Sequence, residues 1–596
     1  MGERLVADVI VDRLKAWGVD RIFGYSGDGI NTVLGALRRS GSPEFVQARH
    51  EENAAFMAVG HAKYTGQPGV MLSTQGPGAV HLLNGLYDAK MDSVPVVAII
   101  GQQSRSVLGS AYMQEIDLLN LTRDVASSFR QQINSPEQVP LVLDRAFKAA
   151  LADRAPAVVI IPHDVQQAPA PELEQEHGIV NSAPVWSPPN VVPALADLEA
   201  AAEVINAGER VAFLVGQGAR GAGRQVEALA QKIGAGITTS LMGKPYVDES
   251  HPLAAGVMGH LGTSASGMVL GECDTLVIIG SNDPWTEFYP PPGAARAVQI
   301  DVDAAAIGNR YPVDVAVTGD AAAALEALDL LVKQRTDSPW RSRVEEAVRN
   351  WHRLAAERAA TPARPVNPEL AVRELSGRLP ENAQVAVDVG SIVYWYARQL
   401  RLPAGVPAHL SSTLASMGCS IPYGLAAKLA DPARPVVALS GDGAMQMAGL
   451  SELITVSRLW PRWADPRFVL MVLNNRELAE VTWEQREMEG DPRFEQSQAL
   501  PDFSYARYAE LLGLQGIRVE DPSQIAPAWD AALDADRPVV IEVMSDPDVP
   551  LLPPFEAGRQ KGKDMMDALV KEGPDTAHAR ELLETYLRQE ENLSTS

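Results

Sequence analysis

The run Pro435-Val436-Val437-Ala438-Leu439-Ser440 reads as a short buried β-strand, and it delivers the chain into Gly441-Asp442-Gly443-Ala444 at the head of a helical pattern. About thirty residues after Gly443, a second apolar run, Val469–Leu473, ends in Asn474-Asn475. If both runs belong to one parallel sheet, their ends meet at its C-terminal edge. The chemistry that suits such an edge is diphosphate binding through a metal. The glycines admit the backbone to the phosphates, the helix start favours their charge, and Asp442 with an Asn amide oxygen offers hard ligands to Mg²⁺. Gly-Asp-Gly alone is a common turn, and a pair of structural turns is the alternative reading. The strand context and the Asn-Asn partner at this distance favour the site.

A second glycine pattern follows the strand Val211–Val215, where Gly216-Gln217-Gly218-Ala219-Arg220-Gly221 satisfies G-x-G-x-x-G. About twenty positions on, where a ribose-binding acid belongs, stand Ile237-Thr238-Thr239-Ser240, so an ordinary NAD site is disfavoured. His50 and His81 could do acid–base work, but a histidine beside a helix start is more often a satisfied polar residue. Glu484-Gln485-Arg486-Glu487-Met488-Glu489 reads as a solvated helix face, and Glu52 as decoration of its helix. Trp483 fits a pocket wall or plain packing.

The elements that must position these residues alternate between β-branched runs and Ala/Leu-rich helical patterns, the mark of parallel sheets with crossover helices. Strands are predicted at Gly69–Leu72, Val96–Ile100 and Ala157–Ile161, then at Val211–Val215, Thr275–Ile279 and Ala297–Asp301. A third group comprises Gln384–Asp388, Val436–Leu439, Phe468–Leu473 and Val539–Val543. Residues 166–191 and 335–368 read as linkers, the latter holding a charged helical patch. The fold class is therefore α/β: three consecutive doubly wound parallel-sheet domains at 1–170, 190–335 and 365–550. A helical C-terminal tail at 551–596, with helices over Arg559–Glu572 and Ala577–Glu591, reads as solvated or partner-docking.

Length and charge agree with this division. A chain of 596 residues suggests about three or four domains. Its net charge of −24 repels polyanions, so nucleic acid is not an expected partner. Two cysteines, Cys273 and Cys419, exclude a disulfide framework and fit a reducing compartment. The charged N-terminal segment reads as an amphipathic helix and not as a signal peptide, and no apolar run approaches the roughly 20 residues of a membrane span.

The pairing of Gly441-Asp442-Gly443 with Asn474-Asn475 resembles the thiamine diphosphate motif, and segments of the first block support the likeness. Arg49-His50-Glu51-Glu52-Asn53-Ala54-Ala55 resembles the stretch carrying the acid that bonds the cofactor's aminopyrimidine. Ser73-Thr74-Gln75-Gly76-Pro77-Gly78 and Asn84-Gly85-Leu86-Tyr87-Asp88-Ala89 resemble the glycine loop and helix beside it. Gly109-Ser110-Ala111-Tyr112-Met113-Gln114-Glu115 resembles the segment lining the reacting carbon. Within the thiamine diphosphate superfamily, the chain is most similar to flavin-containing pyruvate oxidases and pyruvate:quinone dehydrogenases.

That resemblance implies a pyrimidine-binding, a central FAD-type and a diphosphate-binding domain, and it assigns roles residue by residue. Glu51 is the cofactor-activating acid, and Gln114 lines the catalytic centre. The Ala415 carbonyl accepts from the 4′-amino group, while Met417 bends the cofactor. Gly390 and Ser391 lie in a diphosphate-facing loop with Gly441, Gly443 and Ala444; Asp442, Asn475 and Glu477 are the Mg²⁺ ligands, the last often through its backbone oxygen. FAD contact falls on the Gly216/Gly218 turn, Asn282, Asp301 and Asp320.

The chemistry needs such an arrangement: a carboxylic acid opposite a pyrimidine nitrogen favours the imino tautomer, whose nitrogen then serves as internal base. The expected reaction is decarboxylation of pyruvate or a similar 2-oxo acid with oxidation to acetate, electrons passing to quinone or O₂. Acetohydroxyacid synthase, with non-redox FAD, is the alternative. Its usual Gly-x-Val-x-Gln-Trp-Gln run is not matched by Leu478-Ala479-Glu480-Val481-Thr482-Trp483-Glu484-Gln485. Two departures from the oxidase pattern are Met113, where an aromatic is usual, and Glu480, where an apolar or aromatic residue is common. The resemblance further implies a homo-oligomer, a dimer of dimers in which Glu51 of one subunit faces the Asp442/Asn475 site of another. It also implies a cytoplasmic enzyme, with peripheral membrane contact through the tail as a variant that no basic amphipathic face supports here.

Overall fold

The structure, a computed structural model, describes residues 4–172, 174, 177–335 and 337–594. Three six-stranded sheets follow one another along the chain, and every pairing between their named strands is parallel. The first comprises β1 (Arg21–Gly24), β2 (Glu44–Gln47), β3 (Gly69–Ser73), β4 (Val96–Gln102), β5 (Phe129–Gln132) and β6 (Pro156–Pro162) in the order β2-β1-β3-β4-β6-β5. The second comprises β7 (Val211–Val215), β8 (Gly236–Thr239), β9 (Ala254–Val257), β10 (Thr275–Ile279), β11 (Arg296–Asp301) and β12 (Val315–Thr318), ordered β12-β11-β10-β7-β8-β9. The third comprises β13 (Gln384–Val387), β14 (Ala408–His409), β15 (Val436–Gly441), β16 (Phe468–Asn474), β17 (Gln515–Val519) and β18 (Val539–Met544), ordered β14-β13-β15-β16-β18-β17. The first and third sheets thus share one topology, although no close sequence repeat marks it. The second has the order of a dinucleotide-binding sheet, reversing direction between β7 and β10.

The central strands are buried on both faces, which is why they read as continuous apolar runs. The first and third domains also share a core. Helix Glu51–Thr65 of the first packs along helix Ser420–Ala430 of the third, with Ala54, Ala58, Phe56 and Ala62 buried in the same cluster as Ile421, Tyr423 and Ala427. Small residues allow the close approach: a Cβ on Gly60 would stand 3.0 Å from Ala426 Cβ.

Two readings of the sequence need correction. The 335–368 stretch is no simple linker, because it contains helix Pro339–Ala359, whose Trp340, Val344, Val348, Trp351 and Leu354 enter the core of the second domain. These recur at helical spacing, and the indole of Trp340 donates to the Val211 carbonyl at 2.9 Å. The tail is not a solvated appendage. Helices Phe555–Glu572 and Ala577–Ser594 bury Met565, Leu569, Leu582, Leu583 and Tyr586 in the core of the third domain, and Tyr586 Oη donates to Glu369 at 2.8 Å. Among the described residues no helix is long and apolar enough to cross a membrane.

Leu583 is fully buried, so Leu583→Ala is expected to destabilise the third domain by about 2–5 kcal/mol in urea unfolding. A change within about 0.5 kcal/mol, as for a surface substitution, would show the tail to be detached in solution.

Candidate functional site

The register of β15 against β16 sets Gly441 opposite Leu473, so that Asp442 and Asn475 leave the sheet side by side. Asp442 Oδ2 accepts from the backbone N–H groups of Asn475 at 3.0 Å and Arg476 at 2.5 Å, and Oδ1 from Gly443 at 2.9 Å. Burial pushes the Asp442 carboxyl up to about 7, against the pull of those N–H groups. Asn475 Oδ1 accepts from Glu477 N–H at 3.0 Å, in a turn where Arg476 has φ +57°.

The Glu477 carboxylate is already engaged, bidentately by Arg493 at 2.7 and 2.6 Å and by Thr482 Oγ1 at 2.6 Å. Its backbone carbonyl is therefore what it can offer to a metal. A Cβ on Gly441 would meet no atom, whereas one on Gly443 would stand 2.6 Å from Leu478 Cδ2. Ala444 is buried at the start of the helical run that follows.

The neighbouring strand end is organised by Asp388, whose role the sequence did not disclose. Its Oδ1 accepts from Gly418 N–H at 2.7 Å; its Oδ2 accepts from the hydroxyls of Ser420 at 2.6 Å and Ser440 at 3.0 Å. One buried carboxylate thus ties three segments of the edge together. Gly390, at φ +114°, turns the chain into helix Ser391–Gln399, and a Cβ on it would lie 4.0 Å from Glu480 Oε2. In the loop before helix Ser420–Ala430, Ala415 is exposed and left-handed at φ +56°, and Met417 is half-buried.

Glu51 is the first residue of its helix and is buried, with Oε2 3.0 Å from His81 Nδ1. The rings of His50 and His81 lie 4.3 Å apart, so both flank the carboxyl. Nothing local in the sequence joins Glu51 to a histidine 30 positions away. Glu52, far from decorative, pairs with Asn84 Nδ2 at 2.5 Å, and the same nitrogen lies 2.8 Å from Ser416 Oγ. This short chain of contacts connects the Glu51 turn with the Ala415–Met417 loop. Gln114, at φ +61°, accepts from Gln75 Nε2 at 3.1 Å, and a Cβ on Gly76 would stand 2.8 Å from Gln114 Cβ. Met113 beside it is 68% exposed.

The 484–489 stretch is solvated only in part: Met488 and Glu489 are exposed, whereas Arg486 and Glu487 are buried. Trp483 is core: its indole donates to Pro547 O at 3.0 Å, and the Arg486 guanidinium lies 4.6 Å from the ring centre.

In the second domain, Gly216 and Gly218 sit where β7 and β10 diverge. Their first task is close packing, because Cβ atoms there would stand 2.2 Å from Gly280 O and 2.7 Å from Gly280 Cα. Asn282 is exposed on the loop after β10. Asp301 ends β11 and accepts from Asp303 N–H at 2.9 Å, while Asp320 caps helix Ala321–Leu331 by accepting from Ala323 N–H at 3.1 Å. Ser281 Oγ, just after β10, and Thr239 Oγ1, at the end of β8 on the other side of β7, are buried with no hydrogen-bond partner among the described residues.

Residues 4–121 match the thiamine pyrophosphate enzyme N-terminal TPP binding domain, 198–328 the central domain, and 388–543 the C-terminal TPP binding domain. The protein YdaP of Bacillus subtilis is 34% identical over 94% of this chain and 95% of its own length. A pyruvate oxidase of Lactiplantibacillus plantarum is 30% identical over 98% of this chain and 96% of its own. The large subunit of acetolactate synthase isozyme 2 of Escherichia coli is 31% identical over 91% and 95%. With three matched domains laid over three parallel sheets, and relatives aligned along nearly their whole length, the chain belongs to the thiamine pyrophosphate enzyme family.

Proposed function

We propose that this chain oxidatively decarboxylates pyruvate or a similar 2-oxo acid, using thiamine diphosphate, Mg²⁺ and FAD. Pyruvate and water give acetate, carbon dioxide, two protons and two electrons; FAD, when bound, would supply a two-electron acceptor, with a quinone or O₂ as the final oxidant. The observation that carries the reading is the edge of the third sheet, where the buried Asp442 carboxyl, the turn of Asn475 and Glu477 and the Gly441–Gly443 turn stand together. When bound, thiamine diphosphate supplies the electron sink that decarboxylation of a 2-oxo acid requires.

The chain's own groups divide the work. Glu51 holds a proton toward the pyrimidine nitrogen, and His81 at 3.0 Å orients its carboxyl. Ala415 offers a carbonyl from a left-handed turn that leaves it exposed. The edge of the third sheet suits a hard cation: Asp442 is a buried carboxyl whose charged form a metal would favour, with the Asn475 amide oxygen and the Glu477 carbonyl beside it. In the second domain, the hydroxyl of Ser281, just after β10 and unpartnered among the described residues, suits a polar ligand at the crevice where β7 and β10 diverge. We further propose a homo-oligomer in which Glu51 of one subunit serves the diphosphate site of another; an active monomer in sedimentation would overturn that assembly.

Anaerobic mixing with pyruvate is expected to bleach the flavin stoichiometrically. Acetolactate accumulating over an unbleached flavin would instead identify a synthase.

Glu51→Gln is expected to keep fold and cofactors while lowering turnover by about 10²–10⁴-fold, the usual worth of a positioned acid. Near-normal turnover would remove Glu51 from the mechanism.

Asp442 titrates near 7 in the folded chain against an ordinary 3.8, so between those values the folded state holds more protons than the unfolded. Its contribution to stability is fully present below about pH 4 and is lost as the pH rises to about 7. Without metal, the melting temperature of the native protein should therefore fall relative to Asp442→Asn between pH 5 and pH 8. Mg²⁺ with thiamine diphosphate should reverse the difference by stabilising only the native chain; equal responses of both proteins would count against metal binding at Asp442.

A further inference from the structure

Helix Leu83–Met91 carries Asn84, Asp88 and, at its C-cap, Asp92, one every four residues and so along one stripe. Each reaches out of the first domain into the third. Asn84 Nδ2 lies 2.8 Å from Ser416 Oγ, and Asp88 Oδ2 accepts from Tyr423 Oη. Asp92 accepts from the backbone N–H groups of Ser412 at 3.0 Å and Thr413 at 2.8 Å. Lys63, from helix Glu51–Thr65, completes the set. Its Nζ lies 2.7 Å from Asp92 Oδ2, 4.0 Å from Asp88 Oδ1, and donates to the Leu410 carbonyl at 2.7 Å. Lys63, Asp88 and Asp92 are all buried.

These anchors fall at 410, 412, 413, 416 and 423, on both sides of Ala415. A non-glycine residue at φ +56° is costly, and such a turn persists only where its surroundings over-determine it. Stability alone does not call for this construction, because a buried lysine–carboxylate cluster carries a desolvation cost that apolar packing avoids. Directional contacts to named backbone groups instead fix where the loop sits.

We infer that the Lys63–Asn84–Asp88–Asp92 stripe is a positioning device. It holds residues 410–418 in the one conformation that presents the Ala415 carbonyl and the Met417 side chain. This rests on the proposal that both residues meet thiamine diphosphate. The stripe touches neither cofactor nor substrate; it acts through the loop.

Asn84→Ala and Asp92→Asn test the inference, with Asn84→Ala retained because Asp92→Asn leaves Lys63 buried without its full counter-charge. Hydrogen exchange on the cofactor-free protein should show the Ser412 and Thr413 amides losing protection in Asp92→Asn. With thiamine diphosphate and Mg²⁺ bound, Asn84→Ala should keep its melting temperature but lower kcat about tenfold or more, as expected for a displaced loop, with little change in KM for pyruvate. The near-ultraviolet circular dichroism of the bound aminopyrimidine should change with it, and Ser416→Ala should reproduce the effect without adding to it in the double variant. Native circular dichroism and kcat in a folded Asn84→Ala protein would overturn the positioning role alone. A native protein that takes up no thiamine diphosphate would overturn both this inference and the functional reading beneath it.

Discussion

A carboxylate buried at the end of a β-strand is the constraint around which the third domain is arranged. Among the described residues Asp442 has no cationic side chain as partner; backbone N–H groups of its own turn and of the neighbouring strand end are what hold it. Such a group is tolerable only where those donors are fixed, and fixing them requires β15 and β16 to leave the sheet in register. Asp388 repeats the solution one strand away, binding the backbone of Gly418 and the hydroxyls of Ser420 and Ser440. The edge is rigid because its acidic groups are satisfied by neighbouring turns, and it is electrostatically hungry because backbone dipoles only partly offset the loss of water.

The shared strand order of the first and third sheets gives this edge its counterpart. Each sheet sends a helix from its C-terminal end into a common core, and the two helices cross through small residues. Glu51 stands at the start of one helix, and the Ala415–Met417 loop precedes the other. Duplicated topology thus brings two different chemistries, an acid and a carbonyl-bearing turn, to the two sides of one domain junction. The second sheet follows another strand order, and its glycines serve first to let two loops cross.

Much of this was legible in the residues. All ten strands read from the chain exist, each within two residues of its expected ends, because central parallel strands are apolar on both faces and need no partner to be recognised. Of the strands that escaped notice, β2 (Glu44–Gln47) and β14 (Ala408–His409) are short edge pieces with no apolar run, while β1 and β8 lie inside their sheets but are only four residues long. The Asp442/Asn475 pairing was visible because turn chemistry is local. His81 beside Glu51, Asp388 as a hub and Glu52 with Asn84 were not, since each depends on segments brought together only by tertiary packing. Helix Pro339–Ala359 shows the same limit: its charges dominate the composition, while its apolar stripe decides where it lies.

Glu572, the final residue of helix Phe555–Glu572, receives the guanidinium of Arg486 at 2.8 and 3.0 Å and the backbone N–H of Arg493 at 2.9 Å. Arg493 in turn clasps the Glu477 carboxylate. The turn after β16 is therefore braced by a residue synthesised long after it. During translation the ribosome must release this helix before the brace can form, so a nascent chain holding all three sheets still carries an unfinished cofactor edge.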